Sequence, residues 1–362
     1  MAKELKAINI IDAAKRTGSL KDEFLEHRAA YGIDKIEELF PNHKNLNREP
    51  GFLDNNIEWV NAVLKNVTTQ PFSRVRSSYT DMTPDTLKAK GYAKGKKKIE
   101  DVMTVLARTT DPTTIYKKQK LDRDDIIDIT DFEVVGWIKK SMRLKLDETL
   151  ARAILIGDGR SSSDQYKIDE TCIRPIVNDD DLYSIKASYK TGDNNVKDFI
   201  NTCIRSRKQY KGSGNITLFT TEDMIADILL LENNNGDRIY RSIEEIKSLL
   251  RVSNIVTMED MQDLVSRVEE VQVEETTYND TYTVRGILVN LVDYTVGADK
   301  GGRVSMFEDF DIDFNQMKYL IETRCSGALT KPYSAIVVEE VTRSQASLPA
   351  NLYDEEDQYL DE

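Results

Sequence analysis

Between Thr130 and Gly157 the chain carries one amphipathic run that dominates its folding options. Thr130 and Glu133 have the spacing of a capping box, and Val134, Trp137, Ile138, Met142, Leu146, Leu150, Ala153 and Ile154 then recur at helical intervals. At 1.5 Å per residue, a helix over 131–157 would be roughly 40 Å long, more than a compact domain needs. Gly157-Asp158-Gly159 ends it in a turn, followed by the polar stretch 160–164. The chain of 362 residues also exceeds the usual domain of roughly 100–200 residues, so two or more cores, or one core with long excursions, are expected.

The segments around this helix differ in texture. Residues 1–50 read as short amphipathic helices joined by polar turns, with capping spacing at Ser19/Asp22 and Asp34/Glu37 and with Pro41 and Pro50 as punctuation. A further helix is expected over 55–67, where Ile57, Val60, Val63 and Leu64 share a face. From 71 to 125 the residues turn β-prone, in stretches such as 72–79 and 99–108. Between these stretches lies a basic segment, 87–98, that holds Lys88, Lys90, Lys94, Lys96, Lys97 and Lys98 and no acid. This predicts a long two-stranded excursion, and an isolated hairpin is marginal in water, so it should find its partner surface elsewhere. A pair of strands is expected at 173–177 and 183–188, followed by alternating elements: helix 196–209, strand 215–219, a helix capped by Thr220 and Asp223, a helix capped by Ser242 and Glu245, and strand 253–258. From Thr281 the signals are β, in 282–292, 303–307, 317–326 and 335–341. Residues 354–362 hold six acids and no base, which reads as a disordered tail.

Several chemistries are disfavoured. His27 and His43 are the only histidines, and both fall in the helical arm, so the remaining chain lacks the commonest general base and a serine or cysteine triad of the usual kind is disfavoured. Gly91-Tyr-Ala-Lys-Gly95-Lys96-Lys97 lacks the spacing and the Ser or Thr of a phosphate loop, and Gly157-Asp158-Gly159 closes a helix where a dinucleotide fingerprint would open one. Acidic clusters at 122–125, 179–181 and 308–313 have no EF-hand spacing and read as solvated loops; a metal-dependent enzyme using them is the weakest alternative. Cys172, Cys203 and Cys325 are widely spaced and read as buried thiols. No apolar run approaches the roughly 20 residues of a membrane span, and Met1 to Lys6 lacks a signal-type apolar stretch, so a protein that stays in the cytoplasm where it is made is expected. The formal net charge of −13 argues against a dedicated nucleic-acid binder. The lysine segment keeps three readings: a solvated face, a contact with an acidic neighbouring subunit, or a nucleic-acid contact.

The order of these parts resembles the tailed-phage major capsid family. The resemblance rests on the overlong helix ending in Ala151-Arg-Ala-Ile-Leu-Ile-Gly-Asp-Gly159, on Ile173-Arg-Pro-Ile176 after it, and on Tyr319-Leu-Ile-Glu-Thr-Arg-Cys-Ser-Gly-Ala-Leu-Thr-Lys-Pro-Tyr-Ser-Ala-Ile-Val-Val338. The last stretch is similar to the family's long strand, turn and closing strand, and the likeness spans about 53–341.

The resemblance implies an α+β capsid fold: an N-terminal helical arm (1–68), an extended β-hairpin loop (69–128), a peripheral domain (129–193 and 281–330) with spine helix 131–157, an axial α/β domain (194–280 and 331–342) and an acidic tail (343–362). It further implies a major capsid protein of a tailed double-stranded DNA bacteriophage, without enzymatic activity or cofactor, located in the virion and assembled in the host bacterial cytoplasm. Its partners would be copies of itself in hexamers and pentamers, scaffolding, portal and decoration proteins, and packaged DNA held non-specifically, with no membrane. The intersubunit contact candidates are the six lysines with Arg74 and Arg76; the first 50 residues are short for a cleaved scaffold, so a separate scaffolding protein is expected. An encapsulin-type nanocompartment shell, built on the same fold around a cargo enzyme, is the alternative.

Overall fold

The apolar run Ala335-Ile336-Val337-Val338 lies at the centre of a sheet, fully buried and hydrogen-bonded along both edges. The structure, a computed structural model, describes residues 57–80, 105–124, 134–192, 194–233, 235–273, 276–299 and 304–345. The expected arm helices, the lysine segment, the Thr130/Glu133 capping box and the acidic stretch 354–362 lie outside the described residues.

In chain order the elements begin with α1 (Ile57–Asn66), β1 (Thr68–Gln70), β2 (Arg76–Thr80), β3 (Val105–Thr109), β4 (Thr113–Asp122) and α2 (Val134–Leu155). Next come β5 (Ser184–Lys190), α3 (Asn195–Ser206), β6 (Thr217–Thr220), α4 (Glu222–Leu229), α5 (Ile243–Leu250) and β7 (Asn254–Thr257). The chain continues through β8 (Val265–Val273), β9 (Thr276–Val289), β10 (Tyr294–Ala298), β11 (Ser305–Asp311), β12 (Gln316–Leu329) and β13 (Ala335–Gln345).

Two sheets organise the molecule. In the first, β12 is the spine: β4 pairs along one edge, while β11 and then β10 pair along the other, and β1 adds in parallel to β10. The second runs β5-β13-β9-β6-β7, with β8 against the outer half of β9. Because successive strand residues face opposite ways, β13 feeds two cores. Ala335 and Val337 pack with α2, while Ile336 and Val338 pack with α3, α4 and α5. Full burial of each such aliphatic side chain contributes about 1.5–3 kcal/mol.

Of the long amphipathic run, α2 realises residues 134–155, roughly 33 Å. Trp137, Ile138, Met142 and Leu146 bury against the first sheet, and α1 adds Trp59, Val60 and Val63 to the same core. The helix stops because Gly157 takes φ +94°, a left-handed conformation open to glycine, and donates its N–H to the Arg152 carbonyl at 3.0 Å. The Ile154 and Leu155 carbonyls accept N–H groups from Ile176 and Val177, so the helix end is not left with buried orphan acceptors.

Several expectations are corrected. The stretch 173–177 does not pair with the strand that follows it: Ile173 makes a single bridge to Gly327, whereas β5 belongs to the other sheet beside β13. The helix cap is Thr221, whose side chain accepts from the Met224 N–H, in place of Thr220, which is buried in β6. Ser242 caps α5 as expected, with Glu245 reaching back to the Arg241 N–H. β9 runs through residues 280 and 281 without a break, paired with β13 from Tyr278 to Val289. No helix among the described residues is long and apolar enough to cross a membrane.

Candidate assembly surface

The excursion between β1 and β4 is a two-stranded ribbon, β2 against β3, in register from Arg76 opposite Thr109 to Thr80 opposite Val105. Among the described residues no third strand joins it. Its stem is clasped to β12 by a short polar chain. The Val75 N–H donates to Thr110 Oγ1 (3.2 Å), the Thr110 hydroxyl to Ser326 Oγ (2.9 Å), and the Ser326 hydroxyl to the Ser73 carbonyl (2.5 Å). Both legs of the ribbon are therefore held by one residue of the first sheet. Gly297 of β10 makes room for the incoming leg: a Cβ there would lie 2.5 Å from the Phe72 carbonyl oxygen.

Below the clasp sits an ion pair. Arg108, the fourth residue of β3, is 7% exposed, and the Asp179 side chain that it meets is fully enclosed. Its two terminal nitrogens each donate to an Asp179 oxygen, one at 3.0 Å, and one also donates to the Leu329 carbonyl at 3.0 Å. The guanidinium lies 4.0 Å from the Tyr183 ring centre. A bidentate, stacked arginine of this kind is geometrically exacting, which lysine could not reproduce. The expectation that 179–181 is a solvated loop is corrected for Asp179, which the pairing buries.

At the far end of the first sheet, β11 and the turn after it are exposed. Phe307, Phe310, Ile312 and Phe314 stand in solvent beside Glu308, Asp309, Asp311 and Asp313. Glu308 pairs with Lys139 at 2.6 Å, and Asp311 pairs with Lys318, whose ammonium holds its carboxyl below the ordinary value by hydrogen bonding. Among the described residues no His, Cys, Asp or Glu group is arranged to hold a metal ion.

Comparison with known proteins supplies the remaining observation. No family model matches the chain, and no curated protein matches it. Solved structures do match. The capsid of a native GTA particle aligns at a TM-score of 0.55 and 10% identity, over 83% of this chain and 97% of that one. A structure from Mycobacterium phage Ogopogo gives 0.55 at 10% identity over 84% and 98%, and one from Microbacterium phage Oxtober96 gives 0.52 at 13% over 77% and 90%.

The chain has the tailed-phage major capsid fold.

Of the contact candidates read from the sequence, Arg74 and Arg76 lie at the foot of the β2–β3 ribbon and are exposed; Arg74 pairs with Asp111 at 3.1 Å across the two legs. Lys88, Lys90, Lys94, Lys96, Lys97 and Lys98 lie outside the described residues, so the structure does not bring them together with any site. Sequence reasoning missed Arg108, Thr110, Asp179 and Ser326, the residues that seat the ribbon. Arg108 is separated from Asp179 by 71 positions and from Leu329 by 221, and no local pattern carries a pairing over such spans. The one signal was an arginine closing a β-prone stretch.

Proposed function

We propose that this chain is the major capsid protein of a tailed double-stranded DNA bacteriophage, assembling through hexamers and pentamers into an icosahedral head that encloses the genome. The observation that carries the reading is the extended-loop stem: a five-pair ribbon with no third strand among the described residues, built on a scaffold that aligns over most of its length with phage and GTA particle structures. A ribbon of this size is marginal in water on its own, and in a closed ring each subunit offers its neighbour the missing surface. The role is structural, with no catalytic step. The loop lysines, with Arg74 and Arg76, meet acidic surface on an adjacent subunit, and scaffolding and portal proteins complete assembly in the host cytoplasm.

The test is electron microscopy of the chain expressed in bacteria, with and without its neighbouring genes. Closed shells or capsomer rings are the expected result. A protein that stays monomeric under both conditions overturns the reading. In the same assay, Lys96, Lys97 and Lys98 changed together to Glu weaken assembly while leaving the subunit folded; unchanged assembly kinetics at low salt remove the loop's electrostatic role.

A further inference from the structure

The first sheet has two strands with open outer edges. Along residues 316–322, β4 and β11 flank β12 on opposite sides, both antiparallel to it and therefore parallel to each other. Among the described residues neither pairs with a further strand, and no backbone group outside the sheet bonds to the main chain of either. An open edge is a template for pairing unless it is short, turned away or charged against its likeness. These edges are not short: β4 runs for ten residues and β11 for seven.

Their charges are opposite. β4 carries Lys117, Lys118 and Lys120, and β11 carries Glu308, Asp309 and Asp311. Two β4 edges repel, as do two β11 edges, whereas β4 against β11 is attractive. The pairing to β12 also fixes the faces: Lys118 and Phe307 both stand opposite Leu320, and Lys120 and Asp309 both stand opposite Lys318. Set side by side as a continuation of the same sheet, the parallel strands bring Phe307 beside Tyr116, Glu308 beside Lys117, Asp309 beside Lys118 and Asp311 beside Lys120. Phe307 and Tyr116 are 52% and 55% exposed, so this register also covers an aromatic pair. A slip of two residues, the smallest that keeps each side chain on its face, leaves a single acid–lysine pair in either direction, and one direction sets Asp311 against Asp122. Glu308 and Asp311 already meet Lys139 and Lys318 of their own chain. Among the described residues Asp309, Lys118 and Lys120 form no salt bridge.

We propose that β11 of one copy adds in parallel to β4 of a second copy in this register, carrying the first sheet across the boundary between them. The occupant of each edge is a second copy because the complementary edge is part of the same chain and cannot fold back to meet it: β12 lies between, holding β4 and β11 about 9.6 Å apart, two strand spacings. The contact is heterologous. Each copy gives β11 to one neighbour and receives β11 from another on β4, which builds rings or chains in place of isolated dimers. This adds a defined contact to the shell reading and needs only that copies associate, so the two are tested separately.

The experiment is zero-length carbodiimide crosslinking of the full-length chain, mixed from isotope-labelled and unlabelled copies, with the amides mapped by mass spectrometry. Lys118 joined to Asp309, or Lys120 joined to Asp311, between a labelled and an unlabelled chain is the expected product. Lys118→Glu and Asp309→Lys, both at exposed positions, each set like charges side by side and lower the Lys120–Asp311 yield severalfold. The two changes combined in one chain restore it, and circular dichroism checks that every variant is folded. The proposal is overturned if these amides appear in no preparation, if Lys118 and Lys120 join other acids of the partner copy or only a different protein, or if the double variant is no better than the single ones. Shells that form without the amides remove this contact and leave the shell reading standing; amides in soluble oligomers that never close into shells do the reverse.

Discussion

Changing Arg108 to Met isolates what holds the β2–β3 ribbon to the rest of the chain. The substitution roughly preserves side-chain length but removes both hydrogen bonds to Asp179 and the one to Leu329. Asp179, whose side chain is fully enclosed, keeps only the N–H of Asp180 at 2.9 Å. Breaking a buried pair by deleting one partner costs about 3–5 kcal/mol, because it strands a charge that is no longer compensated. At about 1.4 kcal/mol per factor of ten, the folding equilibrium falls by roughly two to four powers of ten. Urea unfolding of unassembled subunits reads the loss, with Trp59 and Trp137, both buried in the core, as fluorescent reporters. A second variant separates charge stranding from loss of packing. Arg108→Met combined with Asp179→Leu removes both charges and should recover most of the stability, since apolar replacement of a buried pair is often neutral. A single variant within about 1 kcal/mol of the parent, or a double variant no better than the single, would refute the reasoning.

Two further perturbations probe neighbouring features. Gly297→Ala drives a methyl group to 2.5 Å from the Phe72 carbonyl oxygen and 3.2 Å from the Ser73 backbone; overpacking of this kind costs about 1–3 kcal/mol, and hydrogen exchange should show 72–80 losing protection, while unchanged protection would mean the leg moves aside freely. The Arg343 hydrogen bonds at 2.6 and 2.7 Å hold the Asp280 carboxyl below its ordinary value of 3.8. A depressed carboxyl contributes stability that is present above the ordinary value and lost as pH falls through the folded one. Asp280→Asn should therefore be less stable than the parent at neutral pH, with the gap closing below about pH 3.8; a gap independent of pH in acid titrations of unfolding would contradict the assignment.

Local periodicity carried the parts of the fold that it specifies. The spine helix was legible because its apolar residues recur at helical spacing and a glycine turn ends it, and α5 because Ser242 and Glu245 form a local cap. β13 was legible as an unbroken apolar run, the mark of a strand buried on both faces. β8 was missed: Val265, Val268 and Val271 fall three apart among charged residues, blurring strand and helix periods, and its pairing with β9 settles the matter through tertiary contact. β4 was read only as part of the β-prone 71–125 and not singled out, since its three lysines hide the alternation of Ile115 and Leu121. Of the candidate surface, the ribbon was legible as a hairpin, but its seat was not. Asp179 was one of three consecutive acids, and only the distant Arg108 distinguishes it from the other two.

β13 also bears on how the subunit can deform. Its side chains alternate between two hydrophobic cores, so neither core can separate from the other without tearing the strand that both share. Opening one would expose apolar surface of the other, which couples them into one cooperative unit in place of two bodies joined by a hinge. Shape differences between copies of this chain therefore fall to parts lying outside that shared strand: the ribbon beyond the Ser326 clasp, and the β11 end of the first sheet. A molecule organised in this way is stiff at its middle and compliant at its margins.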